Sequence, residues 1–130
     1  MELNDQVTFI NGLSHDQVIK EVSASDLFLL SSLEEGISNA VLEAMAIGIP
    51  VLSTTCGGMS EVINNNENGY LVPPRDPEAI FKTIKDFSRI DKEVRTKIID
   101  NAKKTVIKNH NIQDHVDNFL ILYKKICLEK

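Results

Sequence analysis

The sequence predicts an α/β domain of three layers, with a small, mostly parallel sheet followed by C-terminal helices. Three observations lead there. Short apolar runs alternate with helical patterns over the first half of the chain. One of them, Leu27-Phe28-Leu29-Leu30 after Asp26, is apolar throughout, as expected of a strand covered on both faces. From Asp76 onward the pattern is helical only. The 130 residues are one domain's worth or less and read as a single partial domain, about 7–90 as the α/β core and about 91–130 as helices.

The elements follow in order. Val7-Thr8-Phe9-Ile10 reads as a strand ending at Asn11-Gly12. Ser14-His15-Asp16-Gln17 has the pattern of a capping box, in which Ser14 and Gln17 satisfy each other's backbone amides. Val18, Ile19 and Val22 then mark a short amphipathic helix. After the strand at Asp26–Leu30, a helix from about Asn39 to Ile47 stops at Gly48, a fitting residue just past a helix end. Pro50–Thr54 is a third strand. Gly57-Gly58 turns into a short helix through Glu61-Val62-Ile63, Asn65–Gly69 is a loop, and Tyr70–Val72 is a fourth strand. Four strands make a small sheet. Asp76-Pro77 opens a helix, with Asp as N-cap and Pro in the first position. Val116, Phe119, Leu120, Tyr123 and Ile126 recur at helical spacing, which predicts a last helix with one buried face.

Composition narrows the function classes. Hydrophobic residues make up 42% and charged residues 25%, ordinary for a soluble globular protein. Net charge is −5, from 14 basic and 19 acidic residues, which argues against a nucleic-acid groove. The late lysines, from Lys103 to Lys130, are interleaved with Asp100, Asp114, Asp117 and Glu129 and read as a solvated helical face. Cys56 and Cys127 lack metal-type spacing and suggest a reducing, cytoplasmic setting. No apolar run approaches the roughly 20 residues of a membrane span. The polar start, Met1-Glu2-Leu3-Asn4-Asp5, is no signal peptide. Peripheral docking to a membrane stays compatible with all of this.

The chemistry gathers after the second strand. In open α/β sheets, ligands sit at the carboxyl ends of the strands. That strand ends at Ser31-Ser32, and Leu33–Ser38 leads into the next helix. Gly36 permits a tight turn or a close approach to a ligand. Free N–H groups near Ile37, Ser38, Asn39 and Ala40 make an anion site suited to a diphosphate. Glu35 precedes this cradle. Glu43 lies five residues beyond Ser38, roughly 7–8 Å along the helix axis at about 1.5 Å per residue. One acid on each side of a phosphate cradle suits a ligand with hydroxyls at both ends, such as a nucleotide sugar. Spacing alone does not separate this from two glutamates serving the fold.

The segment Glu35-Gly36-Ile37-Ser38-Asn39-Ala40-Val41-Leu42-Glu43 continues as Ala44-Met45-Ala46-Ile47-Gly48-Ile49-Pro50-Val51. It strongly resembles the Glu-x(7)-Glu motif of family 4 glycosyltransferases, which have the GT-B fold. The likeness begins at Val7–Gly12 and runs on through Ser53, Gly57-Gly58, Glu61-Val62-Ile63 and Asn68–Pro73. The resemblance implies the Rossmann-like C-terminal, donor-binding half of that fold. Glu35 then faces the donor sugar and its reaction centre, and Glu43 binds the ribose hydroxyls. Backbone amides of Gly36, Ile37, Ser38 and Asn39 hold sugar and phosphates, while Gly12 and Leu13, beside Asn11, lie against the base. Val41 and Leu42 pack near the nucleoside, a role that core packing explains about as well. The resemblance also implies retention of configuration, no metal, and no cofactor other than a UDP- or GDP-linked sugar as co-substrate.

Two departures stand out. Many members read Glu-Gly-Phe-Gly with a proline four residues after the Gly, where this chain has Ile37, Ser38 and Ala40. This leaves the sugar open. The family's Arg and Lys pair for the diphosphate and its N-terminal domain, which takes a glycan or lipid-linked acceptor, lie upstream of Val7. Neither Arg75 nor Lys20 stands at a matching position. The expectation is a partial domain, inactive alone, whose family chemistry is glycosyl transfer in polysaccharide or glycoconjugate synthesis. The alternative is a module that holds a nucleotide sugar without turnover. A receiver domain is disfavoured because Ser31-Ser32 stands where an acceptor Asp is required. A dinucleotide-dependent oxidoreductase is disfavoured by the lack of Gly-x-Gly-x-x-Gly. Glu61, His15, His110, His115 and Cys56 read as structural or surface residues.

Overall fold

The computed structural model describes residues 5–128. Its elements are α1 (His15–Ser23), β1 (Phe28–Leu30), α2 (Asn39–Ile47), β2 (Val51–Thr54), α3 (Met59–Val62), β3 (Tyr70–Val72), α4 (Pro77–Phe87), α5 (Lys92–Asn109) and α6 (Ile112–Leu128). The strands form a parallel sheet in the order β1-β2-β3. Leu29 stands beside Leu52, and Ser53 beside Leu71. α2 and α3 carry the crossovers, as parallel neighbours require.

Local signals put the helix ends where the chain turns. The Ser14–Gln17 capping box forms, with Ser14 N donating to Gln17 Oε1 at 2.8 Å and Gln17 N to Ser14 Oγ at 3.4 Å. Gly48 ends α2 in the left-handed region at φ 97°. Asp76 accepts from Ala79 N at 2.9 Å and Pro77 opens α4.

The central strand is buried along its whole length, so its side chains supply both faces of the core. On one face Val51 packs with Val41, Ala44 and Met45 of α2 and with Met59, Val62 and Ile63. On the other, Leu52 packs with Tyr70, Val72 and Phe87. α5 serves both faces, giving Ala102 to the first and Ile98 to the second. The result is helix, sheet and helix in three layers. Met45 is fully enclosed; truncating such a residue to Ala costs about 2–5 kcal/mol. Asn68, also buried, donates from Nδ2 to Val62 O at 3.0 Å and Thr105 Oγ1 at 2.9 Å, and its Oδ1 accepts from Asn64 N at 2.7 Å. It ties the loop before β3 to α5.

Two expectations are corrected. Val7–Ile10 is not a strand, and the sheet has three strands among the described residues. An apolar, β-branched run becomes a strand only when a neighbour takes its backbone N–H and C=O groups, and here Phe9 is 87% exposed instead. The last helix forms, but none of its residues is buried. Helical periodicity shows that a face is apolar; it does not supply what covers it. The long terminal helical stretch also breaks between α4 and α5, at residues 88–91.

Candidate functional site

Three strand-to-helix connections meet at the carboxyl ends of the strands: residues 31–38 after β1, 55–58 after β2 and 73–76 after β3. The first of them arches across the other two. Thr54 Oγ1, at the end of β2, donates to Ser32 O at 2.6 Å. Gly58 N donates to Gly36 O at 3.3 Å. Leu33 and Glu34 then share a cavity of about 390 Å³ with Pro74 and Arg75 beyond β3.

The glycine pair makes the crossing possible. Gly57 has φ 51°, and a Cβ there would overlap the Glu35 carbonyl. A Cβ on Gly58 would lie 2.8 Å from Ile37 Cγ1. No side chain can be added at Gly57 without moving the arch, so these residues hold Glu35 and Ile37 in place from beneath. Glu35 itself is exposed, and its Oε1 accepts from Ser32 Oγ at 3.2 Å.

The arch delivers the chain into α2 at Ser38. Ser38 is 8% exposed and extended, and its side chain makes no capping hydrogen bond among the described residues. Leu42 N donates to Ser38 O at 3.2 Å. The N–H groups of Asn39, Ala40 and Val41 precede that first helical bond and face away from any helical partner. No acid lies in the first turn of α2 to offset their partial charge. Such a helix start attracts an anion through both its donors and its dipole.

The predicted site residues divide into two groups. Glu35, Gly36, Ile37 and Asn39 are exposed on the arch and the first turn of α2, and Ser38 is buried between them. Glu43, one turn further, is half-buried, and its Oε1 lies 3.7 Å from His15 Nε2. This contact places the start of α1 beside α2, and with it Asn11, Gly12 and Leu13, which lead into α1. Gly12 has φ 72° with open space around it. Leu42 is half-buried, whereas Val41 is wholly enclosed in the core, so its side chain contributes packing rather than surface.

Sequence reasoning passed over His15, Ser32 and Thr54. His15 read as a surface residue, and its side chain is indeed 68% exposed, yet it stands against Glu43. Ser32 was legible as a polar strand end, three residues before Glu35; Thr54 depends on strand pairing and had no local signal. Cys56 is buried, and its Sγ lies 3.4 Å from Thr54 Oγ1, whose proton goes to Ser32 O. A larger cavity, of about 510 Å³, lies along the outer face of α5 between Lys92 and Lys104, away from the arch.

Comparison with known proteins identifies the family and the fold. The family described as "Glycosyl transferases group 1" matches residues 1–105. The amylovoran biosynthesis glycosyltransferase AmsK of Erwinia amylovora is 32% identical over 99 residues, covering 72% of this chain and 24% of AmsK. Curated relatives are matched over 23% to 36% of their own length. Among solved structures, sucrose-phosphate synthase from Thermosynechococcus elongatus superposes with a TM-score of 0.90 at 26% identity, over 98% of this chain and 32% of that one. The C-terminal domain of a glycosyl transferase group 1 family protein, LpcC, from Francisella tularensis gives 0.70 at 30% identity, over 82% and 53%. HepE of Anabaena, in complex with UDP and glucose, gives 0.73 at 25% identity, over 89% and 33%.

Proposed function

Because this chain belongs to the glycosyl transferases group 1 family, we propose that it is the donor-binding part of a glycosyltransferase and that the start of α2 is its nucleotide-sugar site. The observation that carries this reading is the uncapped N-terminus of α2, flanked by the exposed Glu35 and the half-buried Glu43. The donor is a UDP- or GDP-linked sugar, with no further cofactor. HepE, whose fold matches, is seen with UDP and glucose, which supports a nucleotide here.

In this reading the amides of Gly36, Ile37, Ser38 and Asn39 hold the diphosphate and sugar. Glu35 accepts hydrogen bonds from the sugar near its reaction centre, and Glu43 accepts from the ribose hydroxyls. Gly12, Leu13 and Leu42 border the base. As the sugar leaves, negative charge builds on the diphosphate, and the fixed N–H groups of α2 stabilise it. A hydroxyl of the acceptor, a glycan or lipid-linked sugar bound by an N-terminal domain, bonds to the anomeric carbon on the face from which the C1–O bond to the diphosphate breaks, and its proton passes to the departing phosphate oxygen, so configuration is retained. Both cysteines of the chain are free, in keeping with a cytoplasmic site of action. No helix among the described residues is long and apolar enough to cross a membrane, and a lipid-linked acceptor would bring the protein to the membrane surface peripherally.

A second reading is a module that holds the nucleotide sugar without turnover. Donor binding and turnover separate the two. Titration of the 130-residue chain with UDP and GDP tests the shared site. Release of sugar to an acceptor by a protein containing this chain, abolished by Glu35→Ala, supports the enzyme. Binding of nucleotide by such a protein with no transfer supports the module.

A further inference from the structure

The three connections at the carboxyl ends of the strands carry three acids, Glu34, Glu35 and Asp76, but a single Arg or Lys. That residue is Arg75. It lies at the far end of the arch, where it lines the cavity of about 390 Å³ with Leu33, Glu34 and Pro74. Its side chain is exposed. Ion pairs among the described residues join His15 to Glu43 and Arg95 to Asp26, and Arg75 takes part in neither.

Arg75 also holds a backbone conformation that an L-residue adopts only at a cost. Its φ is 60°, in the left-handed region, where glycine carries no steric penalty. An arginine there, with no hydrogen bond or ion pair among the described residues, leaves its guanidinium unused by the described structure. The planar guanidinium presents paired donors that match phosphate oxygens. Glu34, which shares the cavity with Arg75, directly precedes Glu35 in the chain.

We propose that Arg75 is a substrate-binding residue that takes a phosphate group on the β3 side of the site. The inference rests on the nucleotide-sugar reading of the α2 site. The phosphate has two sources, the diphosphate of the donor or a phosphate carried by the acceptor. In either case Arg75 supplies positive charge to a rim otherwise lined by carboxylates.

The test uses the 130-residue chain and its Arg75→Gly and Arg75→Lys variants, followed by amide-resolved NMR titration with UDP, then with inorganic phosphate on UDP-saturated protein. Glycine removes the side chain and relieves the backbone, so the Arg75→Gly melting temperature stays unchanged or rises. If Arg75 takes the donor diphosphate, Arg75→Gly weakens UDP binding roughly tenfold or more. If it takes an acceptor phosphate, UDP affinity holds and phosphate binding to the UDP-bound protein is lost. Arg75→Lys restores part of the affinity in each case. Equal UDP and phosphate affinities in wild type and Arg75→Gly overturn the inference while leaving the α2 site standing. A lowered melting temperature with unchanged binding assigns Arg75 to the fold instead and overturns it too. Failure of the wild type to bind UDP removes both readings together.

Discussion

The carbonyl of Glu35 occupies the space that a side chain on Gly57 would need. The proposed reaction-centre acid is thus set in place by the backbone of the next connection, not by its own helix or strand. Gly57→Ala must move one of the two, and Gly57 also has φ 51°. We expect a loss of about 2–4 kcal/mol in urea unfolding, with weaker UDP binding in whatever folded protein remains. An unperturbed variant would show that the arch is free to shift.

Thr54 holds the same arch from the end of β2, through its 2.6 Å hydrogen bond to Ser32 O. Thr54→Val keeps the shape and removes the donor, leaving a carbonyl short of a partner. A loss of about 1–2 kcal/mol is expected by denaturant titration. Restored stability on returning a hydroxyl with Thr54→Ser would confirm the origin of the effect.

Ser32 steers the Glu35 carboxylate through a bond of 3.2 Å. In a protein containing this chain and competent for transfer, Ser32→Ala should lower turnover by about tenfold, the effect of one hydrogen bond to a charged group. Glu35→Ala should lower it much further. Equal rates for Ser32→Ala and wild type would mean that Glu35 is oriented by the ligand alone.

Glu43 faces His15 at 3.7 Å, with the Glu43 side chain 40% and the His15 side chain 68% exposed. Exposed pairs of this kind contribute about 0–1 kcal/mol to stability. His15→Ala should therefore leave the unfolding transition nearly unmoved, measured by circular dichroism. A change above that range would assign the pair a part in holding α1 against α2.

Tyr70 is buried against Phe87, its ring 5.9 Å away edge-on. Burial raises its phenol above the usual 10.0, opposed by the nearby positive charge of Arg95. The unfolded chain therefore loses this proton at lower pH than the folded one. The stability that Tyr70 contributes is complete below pH 10.0 and is lost as pH rises from there through the raised folded value. Tyr70→Phe should flatten this alkaline decline in melting temperature. An identical decline in the variant would place its source in other groups.

Much of the fold was legible locally. Ser14 with Gln17, Asp76 with Pro77 and Gly48 each mark a helix end by chemistry that acts within four residues. The apolar runs at Phe28, Val51 and Tyr70 became strands because each found a neighbour. Val7–Ile10 has the same pattern and found none, since pairing is a property of the sheet and not of the segment. Val116, Phe119 and Tyr123 mark an apolar face for the same kind of reason, without naming its cover. At the site, Glu35, Glu43 and the start of α2 were readable from order along the chain. The arch was not. Thr54 to Ser32, Gly57 beneath Glu35 and the cavity shared by Arg75 and Glu34 depend on the order of strands in the sheet, which brings three connections to one edge.

The start of α2 is proposed to receive a nucleotide diphosphate. Titration of the labelled chain with UDP and GDP, following each backbone amide, tests this. Saturable shifts are expected, largest at Gly36, Ile37, Ser38 and Asn39, and weakened roughly tenfold by Glu43→Ala. Absence of saturable shifts with either nucleotide, or shifts confined to the α5 cavity between Lys92 and Lys104, would contradict it.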